Sequence, residues 1–278
     1  MARLSVDYFS AALMRTTTLD VILPIDNTGE AYGADYERRH DASAWDRRDY
    51  PRTKGPFKTL YLLHGITGNH TDLISETRIR AWAEERRIAV VMPSGYNAFY
   101  LDHPETHNYY GRFVGEELLD VTRSMFPLSD RREDTFIGGV SMGAYGAMRN
   151  GLKYCENFGS IISLSTAMVI DGFDQIISDG LFFLERSYLE SIFGDLNQVV
   201  GSDKDPARLA ADLVYCDRPR PRVFMACGNE DPLASANRML AERLRGTGLD
   251  VTYHELHGGH DWNLWNQALP QAMDWLPR

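Results

Sequence analysis

From residue 57 onward, short apolar runs alternate with longer segments whose apolar residues recur every three to four positions. The first pattern suits strands buried on both faces, and the second suits helices packed along one stripe. It predicts strands over Phe57–Leu63, Ile88–Met92, Thr135–Ile137, Ser160–Leu164, Arg222–Ala226 and Val251–Leu256. It predicts helices over Leu73–Arg86, Tyr109–Phe126, Met142–Leu152, Pro232–Arg245 and Asp261–Trp275. In the second helix Phe113, Leu118, Val121 and Met125 share a face, with Pro127 just beyond its end. Ahead of these, Thr18–Pro24 alternates apolar and polar residues and closes on a proline, as an antiparallel strand does.

Strands and helices in alternation imply the α/β class, a mostly parallel sheet covered by helices on both faces. Two stretches break the rhythm. Residues 26–56 carry glycines, prolines and charges of both signs, which predicts a polar surface excursion. Residues 166–215 separate two core strands by about 50 residues, too many for an ordinary connection. They hold Phe173, Phe182, Phe183, Tyr188 and Phe193, and are read as an inserted cap with short helices. The 278 residues therefore form one domain, 1–278, with a cap insertion at about 166–215.

Composition narrows the function. Twenty-nine basic residues against 39 acidic ones leave a net charge of −10, which opposes binding to nucleic acid. No apolar run approaches the roughly 18–20 residues that span a bilayer. Cys155, Cys216 and Cys227 have the spacing of neither a disulfide framework nor a zinc site, and read as reduced thiols. The N-terminus is interrupted by Asp7, Ser10 and Arg15 and lacks the apolar stretch of a signal peptide, so a cytoplasmic location is expected. His103 and His107 are four apart, but Pro104 disfavours a helix that would present both to a metal.

The chemistry sits in four turns. Gly139-Val140-Ser141-Met142-Gly143 matches Gly-x-Ser-x-Gly between an apolar strand and a small-residue helix. A serine there stands on a strained turn at the carboxyl end of the sheet, with a helix N-terminus aimed at the reacting oxygen. Ser141 is the candidate nucleophile. His64-Gly65-Ile66-Thr67-Gly68 follows an earlier strand, where an oxyanion hole takes its second donor. The backbone N–H groups of Ile66 and Met142 are the candidate oxyanion donors, and Gly65 lets the backbone approach substrate. His64 precedes the nucleophile and is read as shaping this loop by hydrogen bonds.

On such a scaffold the order is serine, acid, histidine. Of eight histidines, only His254, His257 and His260 follow Ser141. The first two lie within or at the end of the last strand, whereas His260 sits past Gly258-Gly259 on the turn that opens the final helix. His260 is the candidate base. The turn Cys227–Pro232 offers Glu230 and Asp231, and the shorter Asp231 is preferred to orient an imidazole. Before Pro232, Asp231 also reads as a plain helix cap.

These motifs, in this order, resemble the esterase D / tributyrin esterase group of α/β-hydrolases, related to S-formylglutathione hydrolases and to acetyl-xylan and feruloyl esterases. The matching pieces are Leu62–Asn69, Gly139–Gly143, Gly228–Asp231 and Gly259–Trp262, with Val21–Pro24 near the start. The resemblance implies an α/β-hydrolase fold and a serine carboxylesterase for short acyl esters, acetyl to butyryl, acetylated carbohydrates included. It implies a small-molecule ester as the partner, a homo-oligomer, and neither cofactor nor metal. It carries catalysis onto Ser141, Asp231 and His260, and the oxyanion donors onto Ile66 and Met142. Ala144 departs from the second glycine many relatives have after the elbow, and the stretch 26–56 is long for the group. The alternatives are a thioesterase or acyltransferase with the same triad, a peptidase of the same fold, and a catalytically silent binding protein.

Overall fold

The computed structural model describes residues 1–25, 54–168 and 181–277. Its centre is an eight-stranded sheet formed by β1 (Ala2–Ser10), β2 (Arg15–Leu23), β3 (Lys58–Leu63), β4 (Ile88–Pro93), β7 (Thr135–Val140), β8 (Ser160–Leu164), β9 (Arg222–Gly228) and β10 (Val251–Leu256). The spatial order is β1-β2-β4-β3-β7-β8-β9-β10. β1 and β2 pair antiparallel, as do β2 and β4, and every pairing from β4 to β10 is parallel. β5 (Asp102–His103) and β6 (Asn108–Tyr109) form a separate small ribbon.

The apolar runs are explained by two cores, one on each face of the sheet. In β3, Leu60 and Leu62 face the core covered by α2 (Ile79–Arg86) and α8 (Trp262–Trp275), whereas Tyr61 and Leu63 face the core covered by α4 (Met142–Lys153). Residues alternate faces along a strand, so a strand between two helical layers has no polar side to show. All six residues of β4 and of β7 are buried accordingly.

The predicted strands and helices are present, with three differences. The helix predicted over Leu73–Arg86 is two, α1 (Asp72–Glu76) and α2. Between them Thr77 is extended, its hydroxyl donating to the Leu73 carbonyl and accepting from Ile79 N–H. A side-chain hydroxyl that satisfies orphan backbone groups competes with the continuous helix. The segment predicted over Tyr109–Phe126 contains a wide turn at Phe113–Glu117 before α3 (Leu118–Met125). One extra residue in that turn rotates the helix. Leu118, Leu119 and Thr122 are buried as a result, while Met125, predicted inward, is 47% exposed. Third, β1 carries no strong apolar run. It is an edge strand whose residues alternate between half-buried and exposed.

The expected excursion 26–56 lies outside the described residues except for its last three. Of the expected cap, 169–180 also lies outside them. The described remainder forms α5 (Arg186–Phe193) and α6 (Pro206–Tyr215). Phe193 packs edge-on against Phe99 and Tyr145, at 5.1 and 5.8 Å between ring centres, which seats α5 above the carboxyl ends of the strands. α7 (Ala234–Gly246) lies between β9 and β10. Among the described residues, no helix is long and apolar enough to cross a membrane.

The rotated register of α3 is testable by urea unfolding. Leu119→Ala should cost about 2–5 kcal/mol, and Met125→Lys should stay within about 0.5 kcal/mol. A large loss from Met125→Lys would restore the register read from the sequence.

Candidate active site

The elbow forms because β7 runs directly into α4 with Ser141 between them. Ser141 has φ +55° and ψ −116°, a left-handed conformation uncommon for a side-chain-bearing residue. Neighbouring strands hold it there, since Ser141 N–H donates to the Leu164 carbonyl and Ala167 N–H donates to that of Ser141. Gly143 is required by proximity. A Cβ on it would lie 2.2 Å from the Leu63 carbonyl oxygen. Met142 opens α4, so its N–H has no carbonyl one turn back to donate to.

Because β3 pairs with β7, with Leu63 opposite Gly139, the loop after β3 lies beside the elbow. Gly65–Gly68 is a tight turn closed by Gly68 N–H donating to the Gly65 carbonyl. Thr67 at φ +66° with Ile66 at negative φ makes it type II. Ile66 is the second residue of that turn, whose N–H the turn does not use. A Cβ on Gly65 would sit 3.5 Å from Ser141 Cβ, so the loop backbone runs beside the elbow serine.

His64 is buried under this loop, as its loop-shaping role required. Gly95 N–H donates to Nε2 at 2.8 Å, so the neutral ring carries its proton on Nδ1, which donates to the Gly65 carbonyl at 2.7 Å. Burial pulls its pKa below the ordinary 6.5, against the opposing pull of the Gly65 carbonyl.

The carboxylate and the imidazole come from turns after β9 and β10, which are stitched together. Asn229 N–H donates to the Leu256 carbonyl and Glu230 N–H to that of Gly258. Gly228 passes so near that a Cβ on it would meet the Gly258 carbonyl oxygen at 2.1 Å. Asp231 stands three residues ahead of the next helix, whose N-cap is Leu233, so it is not the plain helix cap that Pro232 suggested. Its Oδ1 accepts from Leu233 N–H at 2.8 Å, and its Oδ2 accepts from His260 Nδ1 at 2.8 Å. His260 Nε2 lies 2.9 Å from Ser141 Oγ. Ser141, His260 and Asp231 are thus joined in one line. Glu230 is exposed, 3.6 Å from His257 Nδ1 and away from this line. His254, within β10, packs edge-on against Phe224 at 5.1 Å between ring centres.

Burial raises the Asp231 pKa, but the His260 hydrogen bond, Leu233 N–H and Ser165 outweigh it and hold the carboxyl below 3.8. It is ionised throughout the neutral range. Two contributors were not singled out by sequence. Ser165 accepts from Trp265 Nε1 at 3.1 Å, and the Trp265 ring meets that of His260 edge-on at 5.2 Å. Trp265 is itself part of the buried core. Nothing in the spacing of Ser165 signals its role. Among the described residues, no group of three or more histidine, cysteine or carboxylate side chains is placed to hold a metal ion.

An α/β-hydrolase sheet with a serine, histidine and carboxylate at its carboxyl edge defines a serine hydrolase. The comparisons make this more particular. The chain belongs to the putative esterase family, whose model matches residues 47–276. It is 40% identical, over its whole length and 99% of the relative's, to an acetyl esterase of Caldicellulosiruptor saccharolyticus. Among solved structures it is similar to fluorophosphonate-binding serine hydrolase F of Staphylococcus aureus, at 29% identity and TM-score 0.80 over 99% of this chain and 98% of that one. It is similar to an S-formylglutathione hydrolase of the same organism, at 28% identity and TM-score 0.79 over the same shares. The protein is a serine carboxylic ester hydrolase.

The state of His64 sets an acid-side stability limb. Its folded pKa lies below the unfolded one, so its contribution is complete above about 6.5 and is lost as pH falls through the depressed folded value. His64→Gln should therefore lower Tm at neutral pH yet flatten its decline between about pH 7 and pH 5. An equally steep decline would contradict a buried neutral ring.

Proposed function

We propose that Ser141 is the nucleophile, His260 the base and Asp231 the orienting carboxylate of a short-chain acyl esterase. The observation that carries this reading is the line from Ser141 Oγ to His260 Nε2 and from His260 Nδ1 to Asp231 Oδ2, at 2.9 and 2.8 Å. Ser141 Oγ attacks the ester carbonyl while His260 Nε2 takes its proton. Asp231 holds the ring in the tautomer with Nδ1–H and stabilises the imidazolium without itself accepting the proton. The Ile66 and Met142 N–H groups receive the oxyanion, and Gly65 leaves room for the acyl group. His260 then protonates the departing alcohol, and water releases the acid from the acyl-enzyme by the same steps. The cycle requires no cofactor.

The acetyl esterase relative supports acetyl to butyryl esters as substrates, acetylated carbohydrates among them. The reading places the cap, 166–215, as an insertion of a single domain 1–278 that bounds the acyl pocket. Three free thiols support a cytoplasmic address, and the family resemblance supports a homo-oligomer. The S-formylglutathione hydrolase likeness favours thioester turnover as a second reading. Comparing matched oxy- and thioesters separates the two.

Ser141→Ala should lower p-nitrophenyl acetate turnover by about 10⁴–10⁶-fold without loss of Tm. Turnover near the wild-type level would end the assignment. Ile66→Pro tests the oxyanion donor, because proline suits the second position of a type II turn and removes the N–H, and Ile66→Ala, which keeps the N–H, separates the loss of the half-buried side chain. Ile66→Pro should cost about 10²–10³-fold in kcat. Across acetate to octanoate esters, kcat/KM should fall steeply beyond butyrate, and a flat or rising series would refute a small acyl pocket.

A further inference from the structure

The loop after β4 carries strain that packing alone does not explain. Tyr96, Phe99 and Tyr100 have φ of +47°, +50° and +55°, three left-handed residues within five positions, none of them glycine. Such conformations persist only where surrounding bonds over-determine them. Gly95 N–H is tied to His64 Nε2, Tyr100 hydroxyl donates to the His64 carbonyl, and the Tyr100 carbonyl accepts from Asn150 Nδ2. This scaffold presents the Asn97 side chain to the turn of the oxyanion loop. Asn97 Oδ1 accepts from Thr67 N–H at 2.7 Å, and the Asn97 carbonyl accepts from the Tyr188 hydroxyl of α5.

We infer that Asn97, braced from the cap by Tyr188, is a positioning residue that holds the oxyanion loop in its type II turn. This rests on the reading of Ile66 as an oxyanion donor. The third residue of such a turn requires positive φ, which favours glycine, yet this chain has threonine there. Without an outside tie, the Ile66–Thr67 peptide gains by flipping so that Thr67 returns to negative φ. Both edges of that peptide are held instead. Its carbonyl accepts from the Thr67 hydroxyl at 2.6 Å, and its N–H is held by Asn97. A flip would turn the Ile66 carbonyl dipole and change the field beside the oxyanion. The cost falls on the transition state, where the charge develops, more than on ground-state binding. Tyr188 makes the arrangement depend on the cap, because α5 fixes the Asn97 main chain while Asn97 fixes the loop.

The test is a rescue. Asn97→Ala should lower kcat on p-nitrophenyl acetate about tenfold with KM little changed, the scale of one lost neutral hydrogen bond. Thr67→Gly removes the strain that Asn97 opposes, so the Asn97→Ala/Thr67→Gly pair should regain most of the loss. Tyr188→Phe, which keeps the ring packing, should lower kcat a few-fold and be rescued the same way. A wild-type kcat in Asn97→Ala, or a loss that Thr67→Gly fails to restore, overturns the inference. If Asn97→Ala does not fold, Tyr188→Phe decides alone, with an unchanged kcat as the negative result. Ile66→Pro separates the two claims. A crippled Ile66→Pro with a silent Asn97→Ala removes the positioning role only, whereas a silent Ile66→Pro removes the oxyanion reading beneath it.

Discussion

The site depends on how closely β3 and β7 approach at their carboxyl ends. The Leu63 carbonyl comes so near the first turn of α4 that Gly143 has no room for a Cβ. That proximity brings a strand-to-helix elbow and a strand-to-loop turn side by side. It places the Ser141 hydroxyl, the helix N-terminus and the Gly65–Gly68 turn around one point. The left-handed backbone of Ser141 is tolerated because bonds to Leu164 and Ala167 fix it from both sides. The strain is the means by which a side chain that would otherwise cap the helix is turned out toward the imidazole.

A second constraint acts at the other side of Ser141. The carboxylate and the imidazole come from separate loops, so their separation must be held against the mobility expected of connecting segments. Backbone bonds between the two turns, and the near contact of Gly228 with Gly258, supply that restraint. Asp231 uses one oxygen for the turn that leads into α7 and the other for His260, so local folding and the aim of the imidazole are set by one carboxylate. Its depressed pKa follows from the same contacts.

Much of this was legible in the chain because the signals were local. Ser141 stood in a motif whose spacing is dictated by the elbow, and His260 and Asp231 followed strands that could be recognised by their apolar runs. Asp231 rather than Glu230 is the carboxylate that meets His260, while Glu230 faces His257 in the open. What escaped was set by tertiary context. β1 is an edge strand, so only one of its sides meets the core. The wide turn at Phe113–Glu117 rotates α3 without altering its apolar spacing, which is why Met125 faces out. Ser165 and Asn97 are ordinary loop residues until the sheet order brings them beside Asp231 and Thr67, and no periodicity announces such meetings.

The fold, the family and the site converge on acyl transfer through one serine, and the account stands on that residue. Reaction with a fluorophosphonate, followed by peptide mass mapping, tests it most directly, because only a serine activated by a neighbouring base attacks phosphorus rapidly. The account predicts one phosphonyl group per chain, carried on Ser141. A label on another residue, or none on the folded protein, would contradict it.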